Sequence, residues 1–284
     1  MGNFFLMQKC ALVNFRKWAV TPQIWITLAA AAIMMNWNLS GVLEYSRASG
    51  IRVTPWVLPH FFSMPIMMTV FSAITVILFA HAPFRDEFTQ FLEIRMGKGL
   101  WIRAQVLYIL EAAAVYTFFY VIVIFLICLP RIYFTTEWGA LLTQLAVNRE
   151  DAASYGIELE GIAFSPHIIN AYAAPEAMGL TCLMIWMVSS FLGFLIFGCN
   201  ILIGHGAGIM AAGFFSFLSY FCNYVGWMTF GSRIFYFSPV NWIYLNYLDG
   251  AGGPDLFYAV AFLTIQMIFW GTLGIRVYQI KEEG

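Results

Sequence analysis

The chain has 284 residues, of which 61% are hydrophobic and only 10% are charged, against roughly 25% charged in an average soluble domain. This composition excludes an ordinary water-soluble protein and predicts a single membrane domain. The net charge of −1, without any run rich in Lys and Arg, gives no electrostatic basis for binding nucleic acid.

Six apolar stretches are long enough to cross a bilayer, because about 20 helical residues at 1.5 Å each span its hydrocarbon core. They are continuous runs rather than alternations of period two, so we predict an all-α fold and not a β-barrel. The predicted spans are Trp18–Leu39, Leu58–Ala80, Gln105–Leu129, Glu176–Ile203, Gly208–Met228 and Leu256–Ile275. With the N-terminus inside, nine Lys and Arg fall on the inner side and five on the outer side. Both termini are therefore predicted to be cytoplasmic.

Four segments outside these spans have their own patterns. Residues 1–17 predict an interfacial elbow helix, and residues 130–175 predict a long extracellular loop. Segment 83–104 mixes charged residues with apolar ones at helical spacing, which predicts a cytoplasmic helix beginning at Phe84 and ended by Gly97. Segment 229–255 is rich in aromatic residues, which predicts a re-entrant or interfacial segment with a short helix at Ser238-Pro239.

The link between the fourth and fifth spans, 204–208, is so short that these helices are predicted to be antiparallel neighbours. Small residues such as Gly193, Gly198 and Gly213 are expected to let the two helices pack closely against each other. The two spans should therefore form a hairpin.

The sequence contains few patterns that are typical of catalysis or nucleotide binding. Gly97-Lys98-Gly99 contains the only Gly-Lys step, and it lacks the earlier Gly and the following Ser or Thr of a phosphate-binding loop. No His has a His, Cys or carboxylate partner at metal-ligand spacing, and the five cysteines form no C-x-x-C pair. His205 beside Ser189 or Ser190 could suggest an intramembrane hydrolase, but neither Ser lies in a G-x-S-x-G pattern.

A few polar residues lie within the apolar spans. Glu111 either lines a translocation path or dimer seam, or is a carboxylate near the inner interface paired with a base such as Arg95 or Arg103. Gln266 and Asn223, like Asn200, either contact a substrate or form hydrogen bonds between helices. Both interpretations remain open from the sequence.

The motifs Ala82-Pro83-Phe84-Arg85-Asp86 and Arg95-Met96-Gly97-Lys98, followed by Trp101, lie before the third span. Phe237-Ser238-Pro239-Val240-Asn241-Trp242 lies before the last. With the six spans and the N-terminal helix, these motifs resemble the ATP-binding-cassette (ABC) type-2 exporter permeases of bacteria. The resemblance covers most of the chain, and the long outer loop departs from the most compact members.

This resemblance implies a multi-pass protein of the bacterial plasma membrane that pairs with a second copy or a homologous permease half. Two cytoplasmic ABC ATPase subunits would bind ATP and Mg, and this chain would carry no catalytic, cofactor or metal site. The implied ATPase-coupling residues are Phe84, Arg85, Asp86, Glu87, Phe88, Phe91 and Arg95. Glu111, Asn223 and Gln266 are candidates for the translocation path or dimer seam.

Two alternatives remain beside an exporter subunit. The first is an intramembrane enzyme built on Glu111, His205 and the nearby serines, which would act without any partner. The second is a non-catalytic membrane partner or channel-like protein, which would function without an ATPase.

Overall fold

The structure is a computed structural model that describes residues 2–85, 87–248 and 252–283. Within these ranges the chain is helical and forms no strand, and Val53 and Ile132 make one isolated bridge. The α-helices are α1 Gly2–Trp18, α2 Pro22–Ser49, α3 Leu58–Phe61, α4 Pro65–Phe79, α5 Thr89–Met96, α6 Lys98–Cys128, α7 Ala140–Val147, α8 Glu150–Ser154, α9 Pro166–Ala171, α10 Ala174–Leu202, α11 Ala207–Phe221, α12 Trp227–Phe230 and α13 Leu256–Glu283.

Five helical segments of the described chain are long and apolar enough to cross a membrane, which is the architecture of a multi-pass membrane protein. They are Pro22–Ser49, Lys98–Arg131, Ala174–Leu202, Ala207–Phe237 and Leu256–Lys281. Each contains most or all of a span predicted from the sequence. Continuous apolar runs made these five helices predictable, since a helix satisfies its own backbone hydrogen bonds in lipid.

The predicted second span, Leu58–Ala80, is not one continuous helix. A short helix ends at Phe61, and α4 begins at Pro65 after Met64, whose ψ of 128° is extended. Proline disfavours the helical conformation in the residue before it, so Pro65 begins a new helix rather than continuing the old one. At 1.5 Å per residue, the 15 residues of α4 measure roughly 22 Å.

Helix α10 forms the centre of the bundle, and α4, α6, α11 and α13 pack around it. Most of its side chains from Met184 to Ile201 are buried. Rings of α10 pack directly on glycines of α13, since a Cβ on Gly271 or Gly274 would lie 2.9 Å or less from the ring of Phe194 or Phe197. The absence of side chains at these glycines therefore lets α10 and α13 approach closely.

The predicted hairpin is confirmed, with α10 and α11 packed side by side across a link of four residues, 203–206. The glycines at its interface were predicted wrongly. Gly193 faces Phe79 and Ile109, Gly198 faces Trp270, and Gly213 faces open space. The close approach of the hairpin is instead at Gly208, where a Cβ would lie 2.4 Å from the carbonyl oxygen of Ile196.

The segment between α12 and α13 buries several of its rings inside the protein. A 3₁₀ helix begins at Pro239, which confirms the helix predicted at Ser238-Pro239, and Trp242 in this helix is fully buried. Its indole N–H donates to the carbonyl of Phe235 at 2.7 Å. Packing against α4, α10 and α11 therefore keeps part of this aromatic segment away from water.

The predicted N-terminal helix is present as α1, which packs along the first part of α6. At the opposite end of the bundle, the loop 132–173 folds over the helix ends. Asn38 of α2 donates to the carbonyl of Gly161, and Ser63 accepts from the N–H of Ala163 at 2.8 Å. The two ends of the bundle are therefore distinct, and residues 80–108 lie at the end where α1 packs.

Candidate functional site

Residues 80–85 form a turn between α4 and the short helix α5 at the α1 end of the bundle. The helix predicted from Phe84 is therefore partly wrong, because regular helix starts only at Thr89. Pro83 and the tertiary contacts described below hold residues 80–85 in a turn conformation that the apolar spacing alone did not indicate. The predicted end at Gly97 is confirmed, since its φ of 84° lies in the region that favours glycine and separates α5 from α6.

Asn200 of α10 anchors the beginning of this turn. Its side-chain amide donates to the carbonyl of Ala82 at 2.7 Å and to that of Ala80 at 3.4 Å. Its Oδ1 accepts from the N–H of Gly208 at 2.9 Å. One buried side chain therefore connects the turn, α10 and α11, and the interpretation of Asn200 as a hydrogen bond between helices describes these contacts.

Two glutamines attach the same turn to α2 and α6. Gln105 of α6 is fully buried and accepts from the N–H of Phe84 at 3.3 Å. Gln23 of α2 donates to the carbonyl of Ile77 at 2.7 Å, and its Oε1 lies 3.1 Å from Nε2 of His81. The turn is thus held by three of the long helices before α5 begins.

A fourth long helix, α13, contacts the turn through a cluster that we call the tyrosine bridge. It consists of Arg85, Tyr278 and Glu93. The guanidinium of Arg85 donates to the hydroxyl of Tyr278 at 2.8 Å, and this hydroxyl donates to Oε1 of Glu93 at 2.6 Å. The guanidinium also lies 5.1 Å from the Tyr278 ring centroid and 5.7 Å from that of Trp101. The tyrosine bridge therefore joins the turn, α5 and α13 through a chain of charge-assisted hydrogen bonds.

Three large apolar side chains beside this anchored turn are exposed. Phe88 is 66% exposed, Phe91 69% and Ile94 84%. Their spacing of three residues places them on neighbouring turns, and α5 packs against α6. An exposed apolar group of this kind, rimmed by charged residues, is typical of a contact with a protein or a membrane. We call Phe88, Phe91 and Ile94 the α5 face.

The remaining predicted coupling residues lie in different surroundings. Glu87 is exposed, and Arg95 is exposed beside a cavity of about 370 Å³ that α5 forms with Leu6, Lys9 and other residues of α1. Phe84 points inward and packs edge-on against Tyr108, with ring centroids 4.9 Å apart. Asp86 lies outside the described residues.

Glu111 and Gln266 lie on α6 and α13 and are both half-buried. Within the described part of the chain, Glu111 forms no salt bridge with Arg95 or Arg103, and Gln266 makes no side-chain hydrogen bond. No hydrogen bond among described residues joins either of them to Asn223. Their role in a translocation path or dimer seam stays a prediction.

Asn223 belongs to a polar cluster at the opposite end of the bundle from the turn. Its amide donates to the carbonyl of Ser219 at 2.8 Å and to Oδ1 of Asn241 at 3.1 Å. It accepts from the hydroxyl of Tyr247 at 2.6 Å. Burial raises the pKa of Tyr247 to about 12, so the hydroxyl stays a neutral donor. These contacts attach the 3₁₀ segment to α11.

Comparisons of the chain with known protein families, curated proteins and solved structures find no match. The functional proposal therefore rests on the contacts and chemistry of the chain itself. Among the described residues, no three His, Cys, Asp or Glu side chains lie close enough together to hold a metal ion.

Sequence reasoning missed the residues that anchor the turn from a distance. Tyr278 lies 193 positions from Arg85 and Gln105 lies 21 positions from Phe84, so no local pattern connects them. It also missed His60, which is fully buried and accepts from the N–H of Ser165 at 3.2 Å. A polar residue in an otherwise apolar stretch was the available signal for His60 and Gln105.

Proposed function

We propose that this chain is the membrane-spanning permease subunit of an ATP-driven ABC exporter of the bacterial plasma membrane. It would form the translocation pathway with a second copy or a homologous half, and separate cytoplasmic ATPase subunits would bind ATP and Mg. One observation carries the proposal: the exposed α5 face is attached to a turn that side chains of α2, α6, α10 and α13 hold.

This attachment is what a mechanical coupling segment requires. A flexible loop would absorb a displacement of the α5 face, whereas hydrogen bonds through the tyrosine bridge and Asn200 would pass it to α13, α10 and α11. An ATPase pair that closes on ATP would therefore rock the permease halves between two packed arrangements. The charged residues of this segment of the sequence, Arg85, Asp86, Glu87 and Arg95, would set the register of the partner.

We propose that the chain crosses the membrane six times. In addition to the five long helices, α3 and α4 together would form one crossing, the second in chain order. Contacts at the two ends of α4 support this. At one end, Gln23 at the start of α2 donates to the carbonyl of Ile77. At the other, His60 and Ser63 bond to the loop that also contacts the C-terminal half of α2. The segment from Leu58 to Phe79 thus extends alongside α2 for much of its length.

With six crossings, both termini would be cytoplasmic, α1 would lie in the inner interface, and the α5 face would be accessible to a cytoplasmic ATPase. The side chains of Glu111 and Gln266 would face the pathway or the partner half, because lipid is a costly environment for them. Asn223 would border the pathway as part of the polar cluster that it forms with Asn241 and Tyr247.

The test is copurification of the tagged chain with stand-alone ABC ATPases of its source cell, starting with any encoded near its gene. Phe91→Glu places a charge in the centre of the α5 face without touching a described hydrogen bond, and should reduce the recovered ATPase at least tenfold, since a central hot spot contributes about 2 kcal/mol or more. Charge reversal of Arg85 together with Asp86 should weaken the complex as well.

The matched control is Val147→Glu, because Val147 is as exposed as the α5 face but lies at the other end of the bundle. Equal ATPase recovery with Phe91→Glu, Val147→Glu and the wild type would contradict the docking proposal. Both variants should keep the wild-type elution volume in detergent, which excludes misfolding as the cause of a loss.

A further inference from the structure

The cavity between α1 and α5 measures about 370 Å³. It is far larger than the roughly 10–15 Å³ that one water molecule needs, so it has room for a ligand. Its lining residues include Leu6, Lys9 and Val13 of α1 and Leu92, Arg95 and Met96 of α5.

Each of the two helices contributes one cation to this cavity. Lys9 and Arg95 are both exposed. The ammonium of Lys9 lies 4.4 Å from the centroid of the Phe5 ring, and Arg95 makes no side-chain hydrogen bond or ion pair within the described part of the chain. A cation–π contact at an exposed site is weak, so both cations remain able to bind an anion.

The carboxylates of the two helices do not neutralise these cations. Helix α1 contains no Asp or Glu. On α5, Glu93 does not line the cavity, and its Oε1 accepts from the hydroxyl of Tyr278 at 2.6 Å. Residues two positions apart on a helix do not face each other, which separates Glu93 from Arg95. The two cations therefore favour a phosphate, which accepts several charge-assisted hydrogen bonds at once.

The cavity also has an apolar part. Val13, Leu92 and Met96 are half-buried and provide hydrocarbon surface beside the two cations. A free anion would gain nothing from this surface, whereas the glycerol and first acyl carbons of a phospholipid would be removed from water against it. The combination favours a lipid over a free phosphate.

The surface next to the cavity is that of a membrane-bound helix. Helix α1 exposes large apolar side chains there, with Phe4 61%, Phe5 59% and Leu12 51% exposed. A helix that combines such side chains with Lys and Arg lies at the headgroup level of a membrane. Basic pockets at membrane helices are a recurrent means of binding anionic lipid headgroups. An acidic protein segment would satisfy the cations but leave these rings in water.

We infer that this cavity binds the phosphodiester headgroup of an anionic phospholipid, with Lys9 and Arg95 contacting the phosphate. Val13, Leu92 and Met96 contact the glycerol and the first part of an acyl chain. The bound lipid bridges α1 and α5. The inference requires only that the apolar helices cross a bilayer, so it goes beyond the exporter proposal and does not depend on any ATPase.

The experiment measures thermal unfolding of the purified full chain in a neutral detergent while phosphatidylglycerol is added. The lipid should raise the unfolding temperature of the wild type, because a ligand that binds only the folded state stabilises it. Lys9→Gln and Arg95→Gln should each weaken the apparent lipid affinity by about tenfold, as expected for loss of one charge-assisted contact. Each variant is compared with its own lipid-free sample, so a change in basal stability is not mistaken for lost binding.

Two matched variants make the result specific. Arg16→Gln removes one positive charge from an exposed residue of α1 that does not line the cavity, and should leave the lipid affinity unchanged. Lys9→Arg keeps the charge and should retain binding. Arg95 is also a proposed ATPase-coupling residue, whereas Lys9 is not. Lys9→Gln in an assay without ATPase therefore separates a failure of lipid binding from a failure of ATPase docking.

Several results would overturn the inference. An unfolding temperature that phosphatidylglycerol does not raise would show that the lipid is not bound. Equal loss of affinity in Arg16→Gln and Lys9→Gln would show attraction to overall charge rather than a site. An equal response to phosphatidylcholine would show that the anionic headgroup is not recognised. An equal response to inorganic phosphate alone would assign the cavity to a free anion instead of a lipid.

Discussion

Asn200 connects three backbone groups that its own helix does not satisfy. Asn200→Ala would leave the N–H of Gly208 and the carbonyl of Ala82 without this partner, and should lower the unfolding free energy by about 1–3 kcal/mol. The measurement is thermal unfolding in detergent. Asn36→Ala is the control, because Asn36 is exposed on α2. Equal unfolding temperatures for the two variants would show that the Asn200 contacts contribute nothing measurable.

If the tyrosine bridge holds α5 in place, its removal should increase the local opening of this helix. Tyr278→Phe keeps the ring but removes the hydroxyl that bonds Arg85 and Glu93. Amide hydrogen exchange in residues 87–96 should become about fivefold faster, since a bond worth about 1 kcal/mol no longer opposes opening of α5. Tyr224→Phe serves as the control because Tyr224 is an exposed tyrosine in the π-helical turn Cys222–Gly226 that follows α11, at the other end of the bundle from α5. Unchanged exchange in Tyr278→Phe would mean that α5 is held by other contacts.

At the scale of elements, the hairpin of α10 and α11 depends on one close approach. A Cβ at Gly208 would lie 2.4 Å from the carbonyl oxygen of Ile196. Unlike the end of a flexible side chain, this backbone atom cannot move away without shifting the helix. Gly208→Ala should therefore cost about 1–3 kcal/mol of unfolding free energy. Gly213→Ala, in the same helix but facing open space, should be neutral or stabilise by up to about 1 kcal/mol. Equal effects of the two changes on thermal unfolding would contradict this packing.

The elements differ in how well the sequence predicts them. Helices α2, α6, α10, α11 and α13 follow from long apolar runs, because length and hydropathy are local properties. The start of α5 does not follow from such a pattern. Apolar spacing placed it at Phe84, but bonds from Gln105, Asn200 and Tyr278 hold residues 80–85 in a turn, and these partners are distant in sequence. The interface glycines were misassigned for the same reason, because a glycine in the sequence does not indicate which distant helix packs against it.

The sequence indicated which residues of α5 would be exposed, but not which distant side chains hold the turn beside them. Phe88, Phe91 and Ile94 were recognisable as apolar residues in a charged segment, and the structure leaves them exposed. The tyrosine bridge was not recognisable, because Tyr278 resembles any interfacial tyrosine near the end of a span. Glu111 and Gln266 were singled out for their cost in lipid, and their role in a pathway or dimer seam stays a prediction.

At the scale of the whole molecule, the number of crossings fixes the relative position of the two termini. Six crossings place both termini on the same side, whereas five place them on opposite sides. We expect fusions at both termini to report a cytoplasmic position, with a fluorescent protein active at each end and a periplasmic phosphatase inactive at each. Opposite results at the two termini would show that α3 and α4 do not cross.

We propose that this chain crosses the membrane and leaves ATP hydrolysis to a partner bound at the α5 face. The most direct measurement is ATP hydrolysis in lipid nanodiscs, recorded for the purified chain alone, for a copurifying ATPase alone, and for the two together. We expect no hydrolysis by the chain alone, and an ATPase rate that changes on complex formation with the wild type but not with Phe91→Glu. Hydrolysis by the chain itself, or an ATPase rate that is the same with and without the chain, would contradict it.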